Sequence, residues 1–428
     1  MRRAERGWYP ALILAVPFLA GIAALKGLTV EIDTYHGSDV SAFHLPTIRQ
    51  FYDQLPGVDL GEYPAAQTPL FHLLMALWGK LVGLELWRLR LLNVGISYVA
   101  LVVLYRWLIE GFGFERRQAL ALAVLFGLSP FVLGASFTLL TDNLALLFGL
   151  VALRHFHRAA RDGSLGQFAI GCAAMGGAAL TRQSFLLLAP VAAWALLSAR
   201  PGMTRLAAGA GMAAVSVAPI AALLALWGDL VPEGSDPSSC GVCKPPPGLD
   251  EDRFTVRTLG FTVGLFGLYA AAVYGPVLAG RLRELRVRPA VLLPPLAAGL
   301  ALVAVSDLTR RPAVDYVADD GYLWRLSQEL PQLGSSSLLF WALVPLGAVA
   351  IWLLVRRAGL LSLPVVYIAA LLVSTIPVRL VYQKYFDPFA LLALILLMRP
   401  SDLRSMSDYA GIGALAVGFV AFALRPYV

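Results

Sequence analysis

Three cysteines in 428 residues cannot build a disulfide framework. Cys172 sits in an apolar run and reads as core, whereas Cys240 and Cys243 form a single C-x-x-C in the polar stretch SSCGVCKPPPG. That pair reads as a small disulfide if its loop meets an oxidising compartment, or as free thiols. Half a zinc site would need a second Cys or His pair, and none follows nearby. Charge is scarce as well: 14% of residues are Asp, Glu, Lys or Arg, against 58% hydrophobic and a mean hydropathy of +0.72, which excludes a soluble domain of this length. The net charge is +7, yet the arginines fall in short groups between apolar segments rather than on one basic face. The positive-inside rule accounts for that spacing, so nucleic-acid binding is not expected. Nucleophile elbow, Walker loop and HExxH are missing, and no His, Cys and carboxylate set stands at ligand spacing. Neither a metal nor a cofactor is expected.

What the chain has in quantity is apolar length. A helix needs about 20 apolar residues to cross roughly 30 Å of hydrocarbon. Tyr9 to Leu28 is the first such run, preceded by Arg2, Arg3 and Arg6 and lacking an A-x-A cleavage signal, so it reads as an uncleaved span with its basic end inside. The loop that follows is then outside. Gln67 to Leu84 is also long enough, but counting it would turn the later basic connections to the wrong face. Read instead as lying on or dipping into the outer leaflet, it leaves Arg116 and Arg117, Arg154 to Arg161, Arg200 to Arg205, Arg281 to Arg288, Arg356 and Arg357, and Arg399 to Arg404 all cytoplasmic. Further spans are expected over 89–109, 118–134, 142–156, 168–181, 184–197, 206–227, 259–278, 290–305, 337–355, 360–376, 388–398 and 409–424. The expected fold is an all-α polytopic membrane protein of about 13 transmembrane helices, a single membrane domain over 1–428. Its first extracytoplasmic loop, 29–88, carries short surface helices, and 228–258 and 306–336 form further outer loops. The spans after Asn143 and Asp387 look short, which implies a water-filled cavity in the outer half of the membrane.

Polar residues concentrate in that first loop. Between Glu31 and Leu84 lie Asp33, His36, Asp39, His44, Arg49, Asp53, Asp59, Glu62, His72 and Lys80, including three of the five histidines. Groups this dense beside a membrane wall need water or a chemical purpose. Asp39 suits a general base acting on an acceptor hydroxyl, or an N-cap for the amphipathic stretch VSAFHLPTIRQFY. Asp33 is the second candidate base or a solvated loop acid, and His44 would orient a phosphate or sugar hydroxyl, or sit at the polar edge of a surface helix. In FTLLTDNLALLF, Asp142 stands at the outer mouth of an apolar helix, where it would cap the helix or bind substrate. Arg182 and Gln183 in ALTRQSFLLLAP put a guanidinium between two apolar helices, which is costly without an anion; Asp142 or a substrate phosphate could supply it. Arg379 and Lys384, with Tyr382 and Tyr385 in VRLVYQKYFDPF, run against the positive-inside trend and read as held for an anionic ligand or as interfacial anchors.

The order of these features resembles the C-type (GT-C) integral membrane glycosyltransferases. An inside N-terminus and one span lead to a large acidic outer loop, then to Tyr63-Pro64 with Thr68-Pro69-Leu70, an outer Thr141-Asp142, and the turn Thr181-Arg182-Gln183. Within that superfamily, Asp39 with Phe43-His44-Leu45-Pro46, Thr68-Pro69 and Thr181-Arg182-Gln183 are most similar to the alpha-1,2-glucosyltransferases of lipid-linked oligosaccharide synthesis. The pattern there is D-E-x-F-H-x-P, T-P or T-x-P-G, and F-R-Q-T-N. Here Asp39 precedes Phe43 by four residues, no Glu adjoins it, and Ser184-Phe185 stands where Thr-Asn would follow. The resemblance implies inverting transfer of a sugar from a polyprenyl-phosphate donor to the hydroxyl of a glycan or glycolipid acceptor on the extracytoplasmic side of the bilayer. Asp39 would be the base, and Arg182, Arg379 and Lys384 would hold the leaving phosphate. The competing reading is a transporter or flippase for a lipid-linked or anionic solute.

Overall fold

A computed structural model describes residues 9–25, 28, 39–200, 202–229, 231–232, 256–281, 289–309, 321–376 and 381–424. Asp33, Arg379, Cys240 and Cys243 lie outside the described residues. The chain divides into two compact units: Met1–Leu186 with Ala195–Asp236 and Ala423–Val428, and Leu187–Trp194 with Pro237–Phe422.

In the first unit, helix α1 (Tyr9–Ala24) precedes a π-helical turn over Val40–His44, which runs directly into α2 (Leu45–Gln54). Thr47, Ile48 and Phe51 turn inward from α2 at helical spacing, so one face is core and the other polar. Helix α3 (Leu70–Val82) packs on α2. Its 13 residues extend about 20 Å, too short to cross a bilayer. The long α4 (Leu86–Phe112) ends at Gly113, whose φ of +73° suits a residue without Cβ. Next come α5 (Arg116–Leu128) and α6 (Pro130–Phe137), bent by 64° where Pro130 disfavours helical backbone at Ser129. Helix α7 (Asp142–Asp162) packs on α4 and on α8 (Leu165–Ala179); α9 (Ala189–Ser198) follows, counted with the second unit through Trp194 and with the first from Ala195, and α10 (Met203–Trp227) packs on α8.

Two ends of this first unit can be told apart by their bonds. At one, Glu110 on α4 accepts from Arg154 and Arg158 on α7 at 2.5 and 2.6 Å. At the other, the chain around 60–70 is tied to the end of α8, the turn that follows it and the end of α10. The apolar cluster there, including Ile48, Phe51, Tyr63, Phe71, Met75 and Leu139, forms the floor on which those polar ties rest.

The second unit is built on α11 (Arg257–Arg281), α12 (Pro289–Val305), α13 (Tyr322–Gln328), α14 (Leu338–Ala358), α15 (Leu363–Thr375), α16 (Asp387–Leu397) and α17 (Ala410–Leu424). A two-residue hairpin pairs Gln332 with Ser337 and Leu333 with Ser336. Gly267 on α11 and Gly347 on α14 let the two backbones touch: a Cβ at either would overlap a carbonyl oxygen of the other helix, that of Leu343 or Val263. Close approach of this kind is how helices associate where lipid removes the hydrophobic driving force.

The chain is an integral membrane protein. Among the described residues five helices are long and apolar enough to cross: Leu86–Phe112, Met203–Trp227, Arg257–Gly275, Leu338–Ala358 and Met406–Ala423; the bent pair α5 and α6 would make six. In Met203–Trp227 the most apolar window is only 17% buried, an apolar surface that lipid can cover. Among the described residues the expected count of about 13 crossings is not reached by helix length, because α1, α8, α9, α12, α15 and α16 are apolar helices of 10–17 residues. The span expected to end at Phe156 instead continues to Asp162, 21 residues in all, since Arg154, Arg158 and Arg161 occupy its last turns without breaking the helix. It is not among the helices long and apolar enough to cross.

Candidate active site

Three stretches singled out by motif converge at one end of the first unit. Thr68, fully buried, donates from Oγ1 to the Ala179 carbonyl at 2.8 Å, and the Leu70 amide donates to the Leu180 carbonyl at 2.9 Å. In return Gln183 donates from Nε2 to the Ala66 carbonyl at 3.0 Å. Thr68-Pro69 and Thr181-Arg182-Gln183 thus lie against each other, across more than a hundred residues of chain. Trp227, at the end of α10, donates from its indole nitrogen to the Leu60 carbonyl at 2.7 Å, so the 60–70 stretch is held on both sides.

Arg182 finds its anion in the protein. Its Nη1 lies 2.6 Å from Oδ1 of Asp142, with the two side chains 15% and 22% exposed. The pair is possible because α8 ends at Ala179 and the next turn throws Arg182 toward the start of α7, where Asp142 occupies the first turn. A carboxylate there also meets the positive end of the α7 dipole. The cap position itself belongs to Thr141, and Asp142 is one of the two anions expected for Arg182.

Behind Asp142, α7 presents a polar residue to the helix interior. Asn143, 1% exposed, donates to Ser97 Oγ, Ser136 Oγ and the Val132 carbonyl at 2.7, 3.0 and 3.0 Å. Asn93 donates to the Ala135 and Thr138 carbonyls at 2.7 and 2.5 Å. These bonds satisfy carbonyls in α6 and at its C-terminal end, and they fix the turn that leads into Asp142.

Asp39 sits immediately before the π-helical turn, and its side chain makes no capping hydrogen bond to that turn. The capping explanation for this residue is not realised. His44, at the other end of the turn, is 4% exposed and lies 2.9 Å from His72, Nδ1 to Nε2, with the rings stacked 5.2 Å apart. Phe51, Tyr63 and Phe71 surround His72. Burial and the neighbouring His44 hold the His72 pKa well below the ordinary 6.5, so it is neutral at physiological pH. Burial likewise raises the Tyr63 hydroxyl well above its usual range, and that hydroxyl donates to the Gln67 carbonyl at 3.0 Å.

Tyr382, Lys384 and Tyr385 belong to the second unit. There a 3₁₀ turn over Gln383–Tyr385 carries Lys384 with its Nζ 5.3 Å from the Tyr385 ring centroid and 5.8 Å from that of Tyr382.

Sequence reading missed several of these groups. His72 stood in the polar inventory of the first loop without a role; its pairing with His44 has no local pattern. Arg90, 3% exposed, donates to the Leu28 carbonyl at 2.9 Å, and a guanidinium just inside an apolar run was its available signal. Asp387, fully buried as the first residue of the apolar α16, was visible only as a boundary.

Residues 66–227 match the family model described as dolichyl-phosphate-mannose-protein mannosyltransferase. That stretch begins beside Thr68 and ends at Trp227, enclosing the Asp142–Arg182 pair, so this part of the chain carries the sequence pattern of a membrane glycosyltransferase family. The family is not the glucosyltransferase group that the short motifs most resemble. No protein of curated function matches in sequence. Among solved structures, ArnT from Cupriavidus metallidurans bound to undecaprenyl phosphate is similar at 17% identity and a TM-score of 0.44, over 99% of this chain and 76% of that one. The apo state of the same protein gives 16% and 0.41, over 97% and 78%. An apo oligosaccharyltransferase from Archaeoglobus fulgidus gives 13% and 0.36, over 97% of this chain and 56% of that one.

Proposed function

We propose that this chain is a GT-C membrane glycosyltransferase that moves a sugar from a polyprenyl-phosphate donor to an acceptor hydroxyl on the extracytoplasmic face, with inversion and with Asp39 as base. The observation that carries this reading is the coincidence of the family match with the motif convergence: residues 66–227 include both patches that meet through Thr68, Ala179 and Gln183. The short motifs favour a glucosyltransferase and the family model a mannosyltransferase, and sugar transfer from a polyprenyl phosphate is the chemistry common to the two.

The acceptor oxygen forms a bond to the anomeric carbon as the bond from that carbon to the phosphate oxygen breaks. The electron pair leaves with the polyprenyl phosphate, and the acceptor proton passes to the Asp39 carboxylate. Inversion follows from a single displacement at the far face of the sugar. Asp33 would be the second acid near the acceptor. Arg182, Lys384 and Arg379 are assigned to the phosphate, where positive charge lowers the barrier most, because negative charge grows on the leaving group. His44 and Gln183 act here as supports, through His72 and the Ala66 carbonyl, and Tyr382 and Tyr385 flank Lys384.

Replacing Asp39 with Asn keeps the side-chain size and removes the base. Transfer from a polyprenyl-phosphate sugar is expected to fall by about a hundredfold or more while the protein stays monodisperse in detergent. Unchanged turnover would remove Asp39 from the mechanism. Mass spectrometry of the lipids that copurify with the protein identifies the donor.

A further inference from the structure

The stretch 381–387 is fastened at three points within the second unit. Trp324 donates from its indole nitrogen to the Val381 carbonyl at 2.9 Å, the Leu323 amide donates to Gln383 Oε1 at 2.9 Å, and Gln383 Nε2 donates to Asp387 Oδ2 at 2.9 Å. That same carboxylate oxygen accepts from the Tyr322 hydroxyl at 2.6 Å and from the Tyr269 hydroxyl, which brings the two phenol oxygens side by side. Gly321, at φ +137°, backs onto Gln383 so closely that any Cβ would overlap its side chain. Asp387 and Gln383 are both fully buried.

Cohesion alone does not call for this arrangement. Burying a carboxylate is costly, and apolar residues of similar volume often hold helices together as well or better. A fully satisfied polar cluster does something an apolar one does not: it fixes directions. The backbone held here carries Lys384, one position after Gln383 and three before Asp387, on the short turn between the fastenings.

We infer that Tyr269, Tyr322 and Asp387 are positioning residues that hold the Gln383–Tyr385 turn so that the Lys384 ammonium meets the phosphate of the lipid donor. This rests on the reading of Lys384 as a phosphate ligand given above. Tyr322 can lose its hydroxyl while its ring keeps the edge contacts to Phe419 and Phe422, so Y322F tests the hydroxyl rather than the packing.

The experiment measures binding of undecaprenyl phosphate and of the neutral undecaprenol to the full-length protein in detergent, for wild type, K384Q, Y322F and the double variant. K384Q is expected to weaken undecaprenyl phosphate about tenfold, the scale of one charge-assisted hydrogen bond, and to leave undecaprenol unchanged. Y322F should weaken the phosphate lipid alone, about threefold to tenfold, and should add nothing in the K384Q background. Multiplying effects in the double variant, or equal weakening of both lipids by Y322F, would overturn the inference while leaving Lys384 as a ligand. Unchanged binding by K384Q would remove that underlying reading and the inference with it. If Y322F does not purify as a folded protein, Y269F and D387N take its place with the same expectations.

Discussion

Replacing Asp142 with Asn separates the two things Arg182 can do. The guanidinium and carboxylate are 2.6 Å apart and mostly buried. With charge centres about 4 Å apart and an effective dielectric near 20, their gross attraction is about 4 kcal/mol. Desolvation of both groups and the remaining solvent exposure reduce the net coupling to about 1–2 kcal/mol, or about 5-fold to 30-fold in an equilibrium. D142N removes that competitor and leaves Arg182 on its turn, whose amide still donates to the Ala178 carbonyl at 2.8 Å. If the guanidinium also meets the donor phosphate, D142N raises the affinity for undecaprenyl phosphate by up to that factor, and R182Q lowers it. Each single variant loses about 1–2 kcal/mol of stability, and the double variant loses little more than one of them. Binding of undecaprenyl phosphate in detergent and equilibrium unfolding in mixed micelles, on the same four proteins, give both quantities. Unchanged affinity in D142N and R182Q alike would make Arg182 a purely structural cation, and stability effects that add within about 0.5 kcal/mol would show that the pair is not coupled.

Thr68→Val keeps the shape of a buried side chain and leaves the Ala179 carbonyl without its donor, so unfolding in mixed micelles should show a loss of about 1–2 kcal/mol, largely absent in Thr68→Ser. The lowered pKa of His72 makes stability pH-dependent in a known direction: its contribution is full above the ordinary 6.5 and is lost as pH falls below it, because the unfolded chain then takes up a proton the folded one refuses. Melting curves between pH 7.5 and 5.5 should therefore slope by up to about 1.4 kcal/mol per pH unit more in wild type than in H72F; parallel curves would refute it. Gly267→Ala pushes a methyl into the Leu343 carbonyl and should cost about 1–3 kcal/mol, whereas Gly275→Ala, with nothing within 4 Å, should be neutral or slightly stabilising by thermal unfolding.

The polar features that sequence could reveal are those that break an apolar run. Arg182 stood out because a guanidinium between two apolar helices needs an anion, and Asp142 was one of the two anions named for it. Thr68-Pro69 and Thr181-Arg182-Gln183 were recognisable as motifs, but their contact was not, since nothing local in either stretch specifies a partner 111 or 117 residues away. The same limit hid the cluster around Asp387, whose donor Tyr269 is 118 residues distant. Helix boundaries failed for a different reason. Counting apolar residues stops a helix where charges begin, yet α7 carries Arg154 to Asp162 on its final turns because Glu110 and solvent accept them.

The motif residues divide by what their polar atoms touch. Thr68 and Gln183 spend hydrogen bonds on backbone carbonyls of distant elements, Asn143 on the Val132 carbonyl of the preceding helix, and His44 bonds to another buried ring. Asp142 and Arg182 bond to each other and retain partial exposure. The first group holds separate stretches of chain together, and the second keeps part of its surface open to solvent. A buried side chain that satisfies a distant carbonyl is expensive to remove, because the carbonyl is left in an apolar setting without a donor. Substitution at the buried Thr68 can therefore abolish transfer with no substrate contact involved, through displacement of Arg182. Loss of activity at a motif position identifies a substrate contact only where the unfolding free energy of the same variant is unchanged, and by that criterion Arg182 in a D142N background is the cation to test first.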